Sequence, residues 1–280
     1  MKISFLTLFP DMIQSGLSYG VSGQALKKGL FDLELVNPRD FTEDVHKTVD
    51  DRPFGGGDGM VLLAEPFERA LNSLALSQDA LVVHTSPQGE VFTDAISREL
   101  STAQQIVWVC SRYSGLDERW LTKNVDRELS VGDYVTSGGE LPALVMTDSL
   151  LRHVPMVLGN ETSHVQESFA LGAPLEAPLY TRPRSWEGME IPPILFSGDH
   201  ARIERWRQST GFVRTWVKRK DWYLESQSPE RLLKLKEHLA ELLKEVKKTP
   251  ENWIFAEAPE EILEQVLHAE ELWSQRGLSR

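Results

Sequence analysis

Apolar positions along this chain fall into two alternating patterns. Compact runs at Ile3–Phe9, Phe31–Val36, Ala80–Val83 and Ile106–Cys110 have the length and residue types of buried strands. Between them lie stripes at helical spacing. One is a helix that Ser22 could cap and Gly29 could end. Pro66 opens another, carrying Phe67, Ala70, Leu71 and Leu74. Strand-loop-helix units follow at 80–100, 105–125 and 128–153. In the last, Leu141, Leu144, Val145, Met146, Leu150 and Leu151 form a helical stripe with Pro142 in its first turn, where proline is well tolerated. The order β-α-β-α-β-α predicts an α/β fold around a mainly parallel, buried sheet. After Gly159 the periodicity lapses until residue 179. Residues 186–248 then read as helical, with Ile203, Trp206, Phe212, Val213, Trp216 and Val217 as apolar anchors. Trp206 and Trp216 read as core. Ser228-Pro229-Glu230 starts an amphipathic helix bearing Leu232, Leu235, Leu239, Leu242, Leu243 and Val246. A last helix spans Glu260 to Trp273, with Ile262, Leu263, Val266, Leu267 and Trp273 on its apolar side.

Three of the predicted strands end in polar, glycine-bearing loops: Ser86 to Gly89, Ser111 to Arg119, and Ser130 to Glu140. In open α/β sheets, loops beyond the carboxyl ends of strands bind ligands. Glycine lets backbone groups approach a neighbour without a Cβ in the way. These loops predict a site for a flat, polar small molecule. The first predicted strand is followed by no G-x-G-x-x-G, and Gly55 to Gly59 lacks the Lys-Ser/Thr of a phosphate-binding loop. A dinucleotide domain and a P-loop are therefore disfavoured.

At 41% apolar and 26% charged, the 280-residue chain is globular. Its lone cysteine, Cys110, excludes an intrachain disulfide and fits a reducing compartment. Ile3–Phe9 is too short to span a membrane, so it reads as the first strand of a cytoplasmic protein. The net charge of −12 argues against nucleic acid until its distribution is considered. His200–Lys220 holds seven Lys or Arg and one acid, whereas Glu251–Leu272 holds seven acids and no Lys or Arg. The acidic tail masks a basic segment suited to phosphate contact.

Longer motifs carry a resemblance. They are Thr48 to Gly57, Arg112 to Arg119, Val131 to Pro142, Tyr180 to Pro183 and Gly198 to Arg207. In this order they resemble the tRNA (guanine-N1)-methyltransferase family, TrmD, over about residues 1 to 220. The resemblance implies a SPOUT-type α/β fold whose deep trefoil knot holds S-adenosylmethionine, with a small all-helical C-terminal domain. It implies a methyltransferase domain at 1–158, a linker at 159–178, a helical tRNA-binding domain at 179–250 and, beyond the common region, an acidic extension at 251–280. It further implies a homodimer with sites across the interface, the anticodon arm of tRNA as partner, and transfer to N1 of the guanosine just 3′ of the anticodon. Mg²⁺ stays open as a second cofactor, and no residue is assigned to a metal.

The same resemblance assigns residues. The cofactor would be held by His84, Thr85, Ser86 and Pro87 in the first loop and by Ser111 and Gly115 in the second. In the third, Ser130, Val131, Gly132, Asp133, Tyr134, Val135 and Thr136 would join Gly138, Gly139 and Pro142. Asp50, Arg52, Gly57, Gly59, Arg182, Arg202, Arg205, Arg214 and Lys218 would meet tRNA. Arg152 corresponds to the family's arginine beside guanine O6. Glu167 stands where the family has an aspartate as general base. Four further positions depart from the family pattern: Ser111 replaces glycine, Ser114 glutamate, Thr136 leucine and Asp58 proline. Guanine N1 must lose a proton before it attacks, so a carboxylate and a cation near O6 suffice. A working methyltransferase and a weakened paralogue that binds cofactor or RNA both remain open.

Overall fold

A computed structural model of the chain describes residues 1–159, 167–225 and 229–275. Ser163 to Gln166 and Ser228 lie outside the described residues, as does the side chain of Trp273. The chain divides into two compact units, Met1–His164 and Val165–Arg280.

The first unit begins with β1 (Lys2–Leu6), α1 (Pro10–Gly16), α2 (Gly20–Lys27) and β2 (Asp32–Val36). A two-stranded antiparallel pair follows, β3 (Asp50–Asp51) with β4 (Val61–Leu62), and then α3 (Ala64–Ser73). Next come β5 (Leu81–Val91), α4 (Asp94–Ser101), β6 (Gln105–Val109), α5 (Glu118–Asn124), β7 (Arg127–Ser130) and α6 (Glu140–Leu151). The sheet has the order β2-β1-β6-β5-β7, and every pairing in it is parallel. Both faces are covered, which is why the strands read as unbroken apolar runs. On one face Ile3, Phe5, Ile106 and Trp108 pack with Ala143, Met146 and Leu150 of α6. On the other, Leu6, Val107 and Val109 pack with Phe67, Ala70 and Trp120.

Two local expectations change. Ser22 does not cap a helix. It lies inside α2, whose N-cap is Tyr19, and its hydroxyl donates to Asp148 of α6 at 2.6 Å. Gly29 does follow the helix end, at φ +65°, with Leu30 N–H closing on Ala25 O at 3.0 Å. The expected loop Ser86–Gly89 is part of β5, and the pairing of β5 with β7 slips between Thr85 and Glu90. Gly89 permits the slip. A Cβ there would stand 2.5 Å from the Glu128 carbonyl carbon.

One buried carboxylate ties the strand ends together. Glu140, the first residue of α6, is fully buried. It accepts from Thr7 Oγ1, just past β1, and from Arg112 Nε, past β6, both at 2.9 Å. Arg112 also lies over the Phe9 ring, 4.2 Å from its centroid. A negative charge in the first turn is favoured by the helix dipole.

The described residues of the second unit are mostly helical: α7 (His200–Lys218), α8 (Lys220–Glu225), α9 (Pro229–Val246) and α10 (Pro259–Gln275). A small antiparallel hairpin, β8 (Ser185–Trp186) with β9 (Met189–Glu190), departs from an all-helical unit. Asp199 caps α7 by accepting from Arg202 N–H at 3.0 Å. Trp206 and Trp216 are buried, in one core with Leu235, Leu239 and Leu242 of α9. Ile262, Val266 and Ala269 of α10 complete that core, and Lys236 pairs with Glu270 at 2.7 Å. The acidic extension is therefore an integral part of this unit. No helix among the described residues is long and apolar enough to cross a membrane.

Two stability outcomes follow from this packing, both read by urea unfolding. Ile262→Ala opens a cavity under α10 and lowers stability by about 2–5 kcal/mol, whereas Leu267→Ala, at a 41% exposed position, changes it by about 0.5 kcal/mol or less. Glu140→Ala strands Arg112 and Thr7 and costs about 3–5 kcal/mol; a change below about 1 kcal/mol would show that the carboxylate does not tie the strand ends.

Candidate functional site

The middle of β5 and the carboxyl ends of β6 and β7 open onto a cavity of about 290 Å³, at the small end of the range for ligand clefts (about 300–1,000 Å³). Its walls are the three stretches singled out from the sequence, the first of them part of β5. His84, Thr85, Ser86 and Pro87 line it from β5, Ser111 and Gly115 from the loop after β6. Ser130, Val131, Tyr134, Val135, Thr136, Gly138, Gly139 and Pro142 line it from the third stretch. Gly132 and Asp133, expected there too, do not line it. Gly132 serves its own loop: at φ +140°, a Cβ on it would lie 2.9 Å from the Tyr134 ring.

Two of the glycines work differently from expectation. They bring loop against loop rather than baring backbone to a ligand. A Cβ on Gly139 would lie 2.9 Å from Cys110 Cα, and one on Gly138 would lie 2.7 Å from Glu140 Oε2. The contact they allow is specific. Gly139 N–H donates to Ser111 O at 2.8 Å, and Arg112 and Gly138 form an antiparallel bridge. The third loop, having left the edge strand β7, thus returns across β5 to the end of β6.

Leu121 and Leu129 also line the wall, outside the stretches singled out from the sequence, as do Gln88 and Glu118, which lie within those stretches but were not assigned to the cofactor. Leu129 carried little signal, since its strand, Arg127–Ser130, has one apolar residue among polar and charged ones. Glu118 and Leu121 sit on a short helix whose facing only the tertiary structure decides.

The electrostatics of the cavity are quiet. Among the described lining residues Arg112 is the one Lys or Arg, and Glu140 neutralises it. His84 is buried, with Nδ1 3.1 Å from Glu128 Oε2 and Nε2 2.9 Å from Ser111 Oγ. Burial holds its pKa below the ordinary histidine value against the opposing pull of Glu128 and Glu118. Burial, reinforced by Glu140, pushes the Cys110 thiol up, so it is no nucleophile. Such a wall suits a nucleoside without phosphates. A triphosphate would find no spare cation.

The Gly-rich loop of the first unit borders this region. Gly55, Gly56, Gly57 and Gly59 all have positive φ. Ser114 N–H donates to Met60 O at 2.9 Å, and Leu62 N–H to Gly115 O at 2.9 Å. Asp58 and Ser114, both departures from the family pattern, meet through a long contact of Ser114 Oγ with Asp58 O at 3.5 Å. Asp50 lies on β3, and Arg52 just beyond it is exposed.

Arg152 forms the C-cap of α6 in the first unit, whereas Glu167 belongs to the second. Arg182 is exposed near the hairpin, and Arg202, Arg205, Arg214 and Lys218 all lie on α7. They are not equivalent. Arg202 pairs with Glu245, and Arg214 donates to Glu176 O at 3.0 Å. Arg205 and Lys218 are exposed. Arg205 shares a cleft between α7 and α9 with Lys244 and Lys248, two cations absent from the expected set. Among the described residues no cluster of three or more His, Cys, Asp or Glu could hold a metal ion.

Comparison with known proteins agrees with this geometry. The tRNA (guanine-N(1)-)-methyltransferase of Salmonella schwarzengrund is 47% identical over 249 residues, 88% of this chain and 94% of that protein. The protein of the same name from Escherichia fergusonii is 47% identical over 250 residues, 89% of this chain and 95% of its own. The family model described as tRNA (Guanine-1)-methyltransferase TrmD matches residues 1–225, and the chain belongs to that family.

Proposed function

We propose that this protein methylates N1 of the guanosine immediately 3′ of the anticodon, tRNA position 37, with S-adenosylmethionine as donor. The observation that carries the reading is the convergence of β5 and two loops on one cavity with no uncompensated cation among its described lining, in a chain of this family. The cavity residues fit an adenosyl group. Ser86, Ser111 and Ser130 offer hydroxyls to its polar edges, and Pro87, Leu129, Val131 and Pro142 offer apolar surface to its faces. When bound there, the sulfonium supplies a methyl group that needs no further activation. The chain must then align the guanine and remove its N1 proton.

In this reading residues 1–158 bind the cofactor, 159–178 carry the base, 179–250 hold the anticodon arm and 251–280 complete the helical core. Glu167 takes the N1 proton. A glutamate has nearly the same unperturbed pKa as the aspartate it replaces, about 4.3 against 3.9. The guanidinium of Arg152 stabilises the charge that deprotonation pushes onto O6. Arg205 and Lys218 of α7, with Lys244 of α9 and Lys248 just beyond it, are the strongest candidates for phosphate contact. The return of the third loop across β5 supports a knotted, SPOUT-type topology. Leu141 and Val145, exposed apolar residues of α6, support a homodimer with sites across the interface. A cytoplasmic setting follows from a tRNA substrate.

Two outcomes test the reading. Methyl transfer to a tRNA with guanosine 3′ of its anticodon, assayed with and without Mg²⁺, is robust in the native chain. Glu167→Gln lowers kcat by about 10²–10⁴-fold while S-adenosylhomocysteine still binds, and Glu167→Asp retains turnover. Cofactor binding without turnover in all three proteins would instead identify a binding paralogue. Gly139→Ala pushes the third loop off Cys110 and weakens S-adenosylhomocysteine binding at least about tenfold by calorimetry, equivalent to about 1.4 kcal/mol. Unchanged affinity would mean that this loop contact does not shape the site.

A further inference from the structure

The hydrogen-bonded chain Glu128–His84–Ser111 enters the cavity wall from β7, across β5, to the loop after β6. Each proton in it is assigned by elimination. The Glu128 carboxylate can only accept, so His84 Nδ1 carries a hydrogen. The ring is neutral near pH 7, because its burial outweighs the charges of Glu128 on β7 and Glu118 on α5 that face it. Nε2 is then a bare lone pair, and it can only accept the Ser111 hydroxyl proton. The backbone of Ser111 is held as well, since its carbonyl accepts from Gly139 N–H at 2.8 Å. The hydroxyl therefore has its proton committed inward and its remaining lone pair available to the cavity.

We propose that Ser111 is a specificity residue of the cofactor site, set by His84 and Glu128 to accept a hydrogen bond from an O–H or N–H donor of the bound nucleoside. The proposal rests on the reading that this cavity holds S-adenosylmethionine. Two parts of that molecule have the required chemistry: the ribose hydroxyls and the purine amino group. Ser111 touches the ligand, and His84 acts through it as a positioning residue. A glycine at 111 would leave His84 Nε2 without this partner and offer the ligand no side-chain acceptor.

The test is calorimetric binding of S-adenosylhomocysteine to the full chain and to Ser111→Ala, Ser111→Gly and His84→Phe. The native protein binds, and both Ser111 variants bind roughly three- to tenfold more weakly, the worth of one hydrogen bond. His84→Phe binds with an intermediate loss. Analogues with a 2′-deoxyribose, a 3′-deoxyribose or a 6-oxopurine locate the donor. The one lacking it loses the same factor on the native protein and nothing further on Ser111→Ala.

A pH series separates this from mere packing. Protonation of His84 makes Nε2 a donor to Ser111 and turns the hydroxyl proton toward the ligand. Native affinity therefore holds above the lowered His84 pKa and falls as pH drops through it, while Ser111→Ala shows no such step. Equal affinity in the native protein and both folded Ser111 variants overturns the proposal and leaves the cofactor reading intact. So does the absence of any coupled analogue, or covalent labelling of Ser111 by a fluorophosphonate, which would mark it as a nucleophile. No binding by the folded native protein overturns the cofactor reading itself.

Discussion

The buried carboxylate of Glu140 is the constraint on which the site depends. It belongs to α6, yet its partners come from the ends of β1 and β6, in Thr7 and Arg112. A buried charge without partners costs several kcal/mol, so this triangle forms as a unit or not at all. Its formation brings the start of α6 to the carboxyl edge of the sheet. The preceding loop, running from β7, is thereby pulled across β5. Gly138 and Gly139 allow the approach, because a Cβ at either would strike the opposite side of the contact. The cavity is what remains between loops so held.

This arrangement explains why the described lining offers no free cation although an arginine is part of it. Arg112 is spent on structure, through Glu140 and the Phe9 ring. The wall is left with hydroxyls, backbone, apolar side chains and the carboxylate of Glu118. Ser111, Ser114 and Thr136, three of the positions expected from the sequence to depart from the family's pattern, line the same wall. Ser111 engages His84, Ser114 reaches Asp58, and Thr136 Oγ1 donates to Gly138 O at 2.9 Å. Ser111 and Thr136 thus use their hydroxyls in short hydrogen bonds, and Ser114 makes a longer one.

The second unit follows a similar economy. Its basic helix α7 is not a uniform cationic face, because Glu245 takes up Arg202 and a backbone carbonyl takes up Arg214. The charge left to a polyanion is displaced toward Arg205 and the lysines of α9. The acidic helix α10 contributes apolar residues to the core, while its acids stay at the surface or, like Glu270, meet a lysine. A basic helix and an acidic one therefore coexist on one small unit.

Periodicity alone determined the parallel α/β unit, the helical character of most of the remainder, and the core roles of Trp206 and Trp216. Those signals are local: a strand covered on both faces is apolar throughout, and a helix buried on one side is striped. The three stretches that line the cavity were legible because glycine and polar residues interrupt such runs, although the first is strand rather than loop. Long motifs within 1–220 identified the family. Local pattern could not show that Ser22 is a helix-to-helix tie, that β5 continues through Ser86–Gly89, or that Arg202 is already paired. Nor could it show that Glu128, His84 and Ser111 form one chain. Each of these depends on what a distant segment places opposite the residue. The tertiary structure alone decided them, because hydrogen bonds and ion pairs act over about 3 Å between residues that the sequence separates by dozens.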